Sequence, residues 1–161
     1  MGVPAVIDLS RYVFEVLRKD EEFILYRGRS GDDAVQVLVA SPAVEYPAPE
    51  TLKLLEHGYS LREELDPKWA ARPITVARHW DRTVLVMEDP GGVPLDQLLG
   101  QPLDLAFSLR LAIGLSSAIG HLHQRGIIHK DTLDYRSSRR AALGEGKRVA
   151  RRHFSVRVAD S

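Results

Sequence analysis

The stretch that decides the fold is HLHQRGIIHKD, residues 121–131. It joins the end of an apolar helix to a turn and a short apolar pair, and it ends on the tripeptide His129-Lys130-Asp131. A bare His-x-Asp tripeptide carries almost no information about function. Because the tripeptide directly follows a long helix, it is a much stronger indication of function here. The residues that follow Asp131 matter as much for this interpretation as those before it.

Length and composition predict one ordinary domain. The chain has 161 residues, of which 44% are hydrophobic, with 22 basic and 22 acidic side chains. That is enough apolar material for a core, so disorder throughout is not expected. The absence of cysteine excludes disulfides and thiolate metal sites. No apolar run approaches the ~18 residues of a membrane span and the N-terminus does not resemble a signal peptide, so we expect a cytoplasmic protein without a membrane span.

The zero net charge conceals an uneven distribution along the chain. Residues 132–161 carry eight Lys or Arg against three acids, a net charge of +5, so residues 1–131 carry −5. We interpret the basic tail as a disordered extension that is foreign to the fold. It is poor in aromatic residues, so base stacking has little support and no specific nucleic-acid partner is expected. The predicted division of the chain is residues 1–88, 89–131 and 132–161.

The pattern of apolar residues predicts strands around one helix, followed by helices. Runs of β-branched and aromatic residues indicate strands, and leucines at helical spacing indicate helices. The predicted strands are residues 12–17, 23–26, 35–39, 74–78 and 83–87, and the predicted helices are residues 50–65, 94–99 and 103–124. The last helix is apolar on most of its circumference, which predicts burial. The fold class is therefore α+β, with a five-stranded antiparallel sheet packed on one helix.

Residues 9–131 resemble the N-terminal kinase-like domain of large bacterial signalling proteins, in which this domain precedes an ATPase region and a sensor histidine kinase. The phrases that carry the resemblance are LYRGR (25–29), EYPAPE (45–50), LREELD (61–66), VMEDPGG (86–92) and IIHKD (127–131). The resemblance implies a protein-kinase-like fold. Residues 1–88 would form the small lobe, and residues 89–131 would form the hinge and the first large-lobe helices only.

The same resemblance implies roles for two short segments. In His129-Lys130-Asp131, Asp131 takes the position of the base that accepts the proton of the substrate hydroxyl in serine/threonine kinases. His129 takes the position of a residue that braces the catalytic loop. Met87-Glu88-Asp89 takes the position of the hinge, whose backbone contacts the adenine of ATP in the family.

Several residues depart from the pattern that phosphoryl transfer requires. Ala40 stands where the family has the phosphate-binding Lys, and Gly58 stands where it has the partner Glu. Leu133 and Arg136 replace a Lys and a metal-binding Asn, and no Asp-Phe-Gly occurs downstream. We therefore expect weak ATP binding at most, no supported Mg²⁺ site and no phosphoryl transfer.

The glycines near the first strands offer no phosphate cradle either. The turn at residues 18–22 holds three acids and no glycine. We interpret Gly28 and Gly31, in the next hairpin, as turn residues with positive φ. Because the basic tail does not resemble the remaining large-lobe helices, we interpret the chain as a truncated kinase-like domain or the product of a frameshifted gene.

Three hypotheses from different classes remain. The first, which we favour, is a truncated kinase-like domain of a bacterial signalling protein that is defective in phosphoryl transfer and retains nucleotide contacts at the hinge. The second is a degenerate ATP-dependent kinase that uses Asp131. The third is a non-enzymatic interaction module in two-component-type signalling. The expected partners are accordingly a nucleotide and a signalling protein.

Two further interpretations concern the long helix. His121, His123, His129 and Asp131 could be drawn as a zinc site. His121 and His123, however, lie about 200° apart around a helix, so we expect structural histidines and no metal. Without the other large-lobe helices, the apolar helix would expose a contiguous patch, which predicts self-association.

Overall fold

The computed structural model describes residues 7–31, 36–92, 94, 97 and 102–127. The tripeptide His129-Lys130-Asp131 lies outside the described residues, as do most of the predicted helix at 94–99 and the whole basic tail. The predictions made for those segments stay predictions.

The described chain is an α+β fold with one five-stranded open sheet, which confirms the predicted fold class at that level. Every neighbouring pair of strands is antiparallel, and the strand order is β1-β2-β3-β5-β4. The strands are β1 Tyr12–Lys19, β2 Phe23–Ser30, β3 Gln36–Pro42, β4 Pro73–His79 and β5 Arg82–Glu88. The helices are α1 Pro49–Ser60 and α2 Leu105–Gln124, and a short 3-10 turn at Leu9–Arg11 precedes β1.

The first hairpin is closed by the side chain of Asp20. Its Oδ1 accepts hydrogen bonds from the backbone N–H of Glu22 at 2.9 Å and of Phe23 at 2.8 Å. Aspartate favours such turns because its short side chain can satisfy backbone donors two and three residues ahead. The charged run between the first two strands is therefore a turn, as predicted.

The central strands β3 and β5 are buried on both faces. Leu38 and Leu85 belong to the cluster on the α1 side of the sheet, and α1 packs against β4 and β5 there. The valines of the same strands point to the opposite face, where they are covered by Leu9 and by aromatic residues of β1 and β2. Since side chains alternate along a strand, burial on both faces produces the continuous apolar runs from which these strands were predicted.

The interpretation of Gly28 as a turn residue with positive φ is wrong. Gly31 lies at the bend directly after β2, as expected, but its φ is not positive. Gly28 lies inside β2, opposite Phe14 of β1. A β-carbon at Gly28 would lie 2.8 Å from Phe14 Cε1, so the glycine provides room for the aromatic ring. The positive φ angles of a turn occur instead at Trp80 (50°) and Asp81 (57°), between β4 and β5. Positive φ at both central residues is the geometry of the commonest tight hairpin turn.

Helix α1 is shorter than the predicted 50–65, because it ends at Ser60. The chain then turns, and Leu61 and Leu65 enter a third apolar cluster with Ala70 and with Leu122 of α2. This cluster attaches the C-terminal end of α2 to the segment that follows α1.

Helix α2 matches the predicted long helix, but the prediction that it is buried is wrong. Only Ala118 and Leu122 are buried among its residues. Leu105 is 74% exposed, Leu109 54% and Ile113 69%. By length and composition α2 is apolar enough to cross a membrane, so the expectation of no membrane span stays a prediction.

Candidate functional site

The segment in which the sequence predicts a hinge follows directly from β5. Met87 is buried and faces Leu38 of β3 across the ladder. The backbone N–H of Glu88 donates a hydrogen bond of 2.9 Å to the carbonyl of Arg72. The hinge therefore begins as part of the sheet.

The predicted hinge segment contains an ion pair between Arg27 of β2 and Asp89. Arg27 Nε lies 2.6 Å from Asp89 Oδ2, and Arg27 Nη2 lies 3.3 Å from Asp89 Oδ1. Their side chains are 11% and 1% exposed, respectively, so the pair is nearly dehydrated. A guanidinium that grips both oxygens of a carboxylate matches its partner in geometry as well as in charge.

The same two side chains also bind the hinge backbone. Arg27 Nη2 donates to the carbonyl of Gly92 at 2.8 Å, and Asp89 Oδ1 accepts from the N–H of Gly91 at 2.8 Å. Together with the Glu88 N–H, three backbone groups of the hinge are bonded within the chain. The Arg27–Asp89 pair thus fixes the path of the chain as it leaves the sheet, and a ligand has correspondingly fewer free groups to bind there.

Sequence reasoning identified Asp89 and missed Arg27. A signal was present, because Phe23, Leu25 and Arg27 share one face of β2 by alternation and the first two belong to the α1-side core. A charged residue at an inward-facing strand position predicts a buried partner. The sequence did not indicate which carboxylate it would be.

The second candidate feature is the contact between β3, β5 and α1, where the resemblance would place a Lys–Glu pair. Ala40 of β3 is the ladder partner of Leu85 of β5. A β-carbon at Gly58 of α1 would lie 3.1 Å from Leu85 Cδ2. The Leu85 side chain therefore occupies the space between the two positions, and this contact is apolar.

The described residues before His129 form the C-terminal cap of α2. The N–H of Ile127 donates to the carbonyl of Leu122 at 2.9 Å, and the N–H of Gly126 donates to that of His123 at 3.0 Å. Gly126 has φ of 71°, and Ile127 packs in the cluster that contains Leu122. These are the bonds and the apolar contact of a Schellman motif, which ends a helix at a left-handed glycine.

Of the two histidines of α2, His121 packs against an aromatic ring. The ring of His121 stacks on the indole of Trp69, with centroids 5.6 Å apart and planes at 20°. In the part of the chain that the structure describes, no group of three or more His, Asp or Glu side chains could hold a metal ion. His129 and Asp131 lie outside that part, so the zinc interpretation is tested only for the residues of the helix.

An open cleft that the sequence did not reveal lies between α2 and the segment after α1. Its volume is about 450 Å³, within the usual range for small-molecule sites. Polar and aromatic residues line it, namely Asp66, Lys68, Trp69, Ser117, His121 and Arg125. The Arg125 guanidinium lies 5.9 Å from the Trp69 ring centroid and also donates to the carbonyl of Glu64. Arg125 and His121 thus already have partners within the chain, and the Asp66 carboxylate lines the same cleft.

No protein-family model matches this chain, and no curated protein matches it either. What the fold of the described residues defines is a class of architecture, an antiparallel five-stranded sheet with helices α1 and α2.

Proposed function

We propose that this chain is a protein-kinase-like small lobe that acts by binding a signalling partner and does not transfer phosphate. The proposal rests on the resemblance of residues 9–131 and on the apolar contact between Ala40, Leu85 and Gly58. A small domain of a reduced cytoplasmic compartment, without cysteine, is part of the same proposal.

The argument against phosphoryl transfer is geometric. Kinases hold the ATP phosphates with a Lys from the sheet, which is fixed by a Glu from the helix. Here the corresponding positions face a leucine, and a carboxylate introduced at Gly58 would have to displace Leu85. Burial of an unpaired charge is strongly unfavourable, so a pair cannot assemble at this contact without repacking. Asp131 would then be a base without an anchored phosphate.

A second candidate function is residual ATP binding at Met87-Glu88-Asp89, independent of Mg²⁺. The observation in its favour is that the hinge is already ordered by the Arg27–Asp89 pair, so a ligand would not have to order it. The observation against it is that the N–H groups of Glu88 and Gly91 and the carbonyl of Gly92 are engaged. We therefore rank partner binding above nucleotide binding.

The first experiment measures phosphate transfer from labelled Mg-ATP to the chain itself and to a generic protein substrate. The matched control is Asp131→Asn, which replaces the carboxylate at the predicted base position by an amide of nearly the same size. We expect the wild type and the variant to give the same background signal. Transfer by the wild type above that of Asp131→Asn would overturn the proposal.

The second experiment separates the two candidate functions. A thermal-shift titration with ATP, with and without Mg²⁺, reports any ligand that binds the folded state, because such binding raises the melting temperature. We expect no saturable shift. A saturable shift that Mg²⁺ does not alter would support the nucleotide-binding candidate. Titration calorimetry against the cytoplasmic part of a sensor histidine kinase from the same organism then tests partner binding directly, and we expect saturable heat.

A further inference from the structure

Helix α2 exposes one apolar stripe along its length. At about 100° of rotation per residue, positions 105, 109, 112, 113, 116 and 120 fall on a single face about 100° wide. Leu105, Leu109 and Ile113 on this face are between 54% and 74% exposed. The buried residues Ala118 and Leu122 lie on the opposite face, against the body of the domain.

Side-chain size changes along the stripe. The large side chains are Leu105, Leu109 and Ile113. The small residues are Ala112 and Ser116, which are exposed, and Gly120, which is half-buried. The N-terminal end of the stripe therefore protrudes and its C-terminal end is recessed, with Ala112 and Ile113 side by side at the centre.

Gly120 has no role in packing within the described chain. A β-carbon built there would meet nothing within 4 Å, and φ at Gly120 is not positive. Glycine in the interior of a helix lowers stability by about 1 kcal/mol relative to alanine. Gly120 thus weakens the helix although no described residue needs the space beside it. A close approach by the backbone or a large side chain of another molecule would explain why a glycine stands there.

We propose that the stripe binds the same stripe of a second copy of this chain in an antiparallel helix pair. A two-fold axis that passes between Ala112 and Ile113 places Leu105 opposite Gly120, Leu109 opposite Ser116 and Ile113 opposite Ala112. Each large residue then meets a small one, as the packing of ridges into grooves requires. A two-fold interface is self-complementary by construction, so one stripe supplies both halves.

The ends of α2 favour the same orientation. The N-terminal end carries Asp104, whose carboxylate accepts a hydrogen bond from the N–H of Phe107. Near the C-terminal end His123 lies within the angular range of the stripe, whereas His121 and Arg125 contact Trp69 on the other side of the helix. An antiparallel pair brings the end with Asp104 toward the end with His123 of the other helix and opposes the two helix dipoles.

A single helix stripe is smaller than a standard interface of about 800 Å² per partner. The dimer should therefore depend on concentration, and it does not rest on the function proposed above. Sedimentation equilibrium of the full chain over a wide concentration range measures its dissociation constant.

The decisive variants are Gly120→Leu, Leu105→Ala and the two combined. Gly120→Leu should raise the dimer dissociation constant at least about tenfold, a change of about 1.4 kcal/mol, because it fills the recess. Leu105→Ala should weaken the dimer through loss of contact area. The double variant exchanges the large and the small residue of the pair. Because the two positions are in contact and their effects are coupled, its dimer dissociation constant should return to within about threefold of the wild-type value. Arg110→Leu, which adds the same side chain at an exposed position outside the stripe, is the matched control and should leave it unchanged.

Folding is checked independently by circular dichroism, which should show no loss of helix in Gly120→Leu because leucine is the better helix former. A wild type that stays monomeric at every concentration overturns the proposal. So does a double variant no better than Gly120→Leu, since it would exclude this register. Flotation of the monomeric wild type with phosphatidylcholine vesicles would assign the stripe to a lipid surface instead and would equally overturn it.

Discussion

Leu85 Cδ2 lies 3.1 Å from the point that a β-carbon at Gly58 would occupy, and Leu85 is also the ladder partner of Ala40. Ala40 and Gly58, the two positions to which the resemblance assigns opposite charges, therefore both lie beside one leucine. An apolar side chain fills the space, and neither position carries a charged side chain. Introduction of a single charge there should then be harmful.

Gly58→Glu should lower the free energy of unfolding by about 2–4 kcal/mol, since the new side chain must displace Leu85 or bury a carboxylate. Urea unfolding followed by circular dichroism measures the change. Glu56→Gln, on the exposed side of the same helix, is the control and should stay within about 0.5 kcal/mol of the wild type. A Gly58→Glu chain as stable as the wild type would reopen the ion-pair interpretation.

Asp89→Ala should destabilise the fold by about 3–5 kcal/mol, because it leaves the buried Arg27 guanidinium without a counter-charge. The exposed pair of Glu15 and Arg29, at 3.7 Å, provides a matched control within the same sheet. Glu15→Ala should change stability by less than about 1 kcal/mol. Urea unfolding measures the loss of stability in both variants. Equal losses would mean that burial of the Arg27–Asp89 pair does not make it more important for stability than the exposed pair.

Gly126→Ala should lower stability by about 1–2 kcal/mol, because φ at this position is 71° and a β-carbon is strained there. The readout is the melting temperature. Gly31→Ala is the comparison, since Gly31 has an ordinary φ and a β-carbon there would meet nothing within 4 Å. That variant should be unchanged or slightly more stable, because alanine restricts the unfolded chain. An equal effect at both glycines would argue against the Schellman motif.

Gly28→Ala should cost about 1–3 kcal/mol, because its methyl group would overlap the Phe14 ring. Phe14→Leu removes the nearest of three close contacts, while Val37 Cγ2 at 3.0 Å and Tyr12 Cδ1 at 3.1 Å remain. The double variant Phe14→Leu/Gly28→Ala should therefore be more stable than the sum of the two single changes predicts, but less stable than the wild type. The double-mutant cycle should give a coupling of at least about 0.5 kcal/mol. Additive effects would mean that Phe14 is not what Gly28 accommodates.

The strands were predictable from the sequence because their signal is local. Residues 35–39 and 83–87 are runs of β-branched and aliphatic residues, and the structure places β3 and β5 at the buried centre of the sheet. Asp20 in the charged run before Phe23 is a residue that favours a turn, and it closes the first hairpin. The predicted end of α1 was too late because Leu61 and Leu65 continue the helical spacing although they belong to another cluster.

The candidate site was predictable only in part. The hinge position of Met87-Glu88-Asp89 followed from a resemblance, but the partner of Asp89 lies 62 residues earlier in the chain. No local pattern links the two, because their contact depends on the pairing of β2 with β3 and of β3 with β5. For α2, the apolar composition predicted burial, which is wrong, because composition does not say whether a covering surface exists. The exposed apolar patch that was also predicted for this helix is present at Leu105, Leu109 and Ile113.

The sequence by itself determined the order of the described strands and helices, the α+β class, the first hairpin and the turn after α2. Each of these depends on backbone preferences and side-chain periodicity within a few residues. Only the tertiary structure decided that Gly28 accommodates Phe14, that Arg27 neutralises Asp89, that Leu85 separates Ala40 from Gly58, and that one side of α2 faces outward. These contacts arise from strand register and helix placement, which bring together residues that are distant in the chain. No local sequence pattern connects such residues.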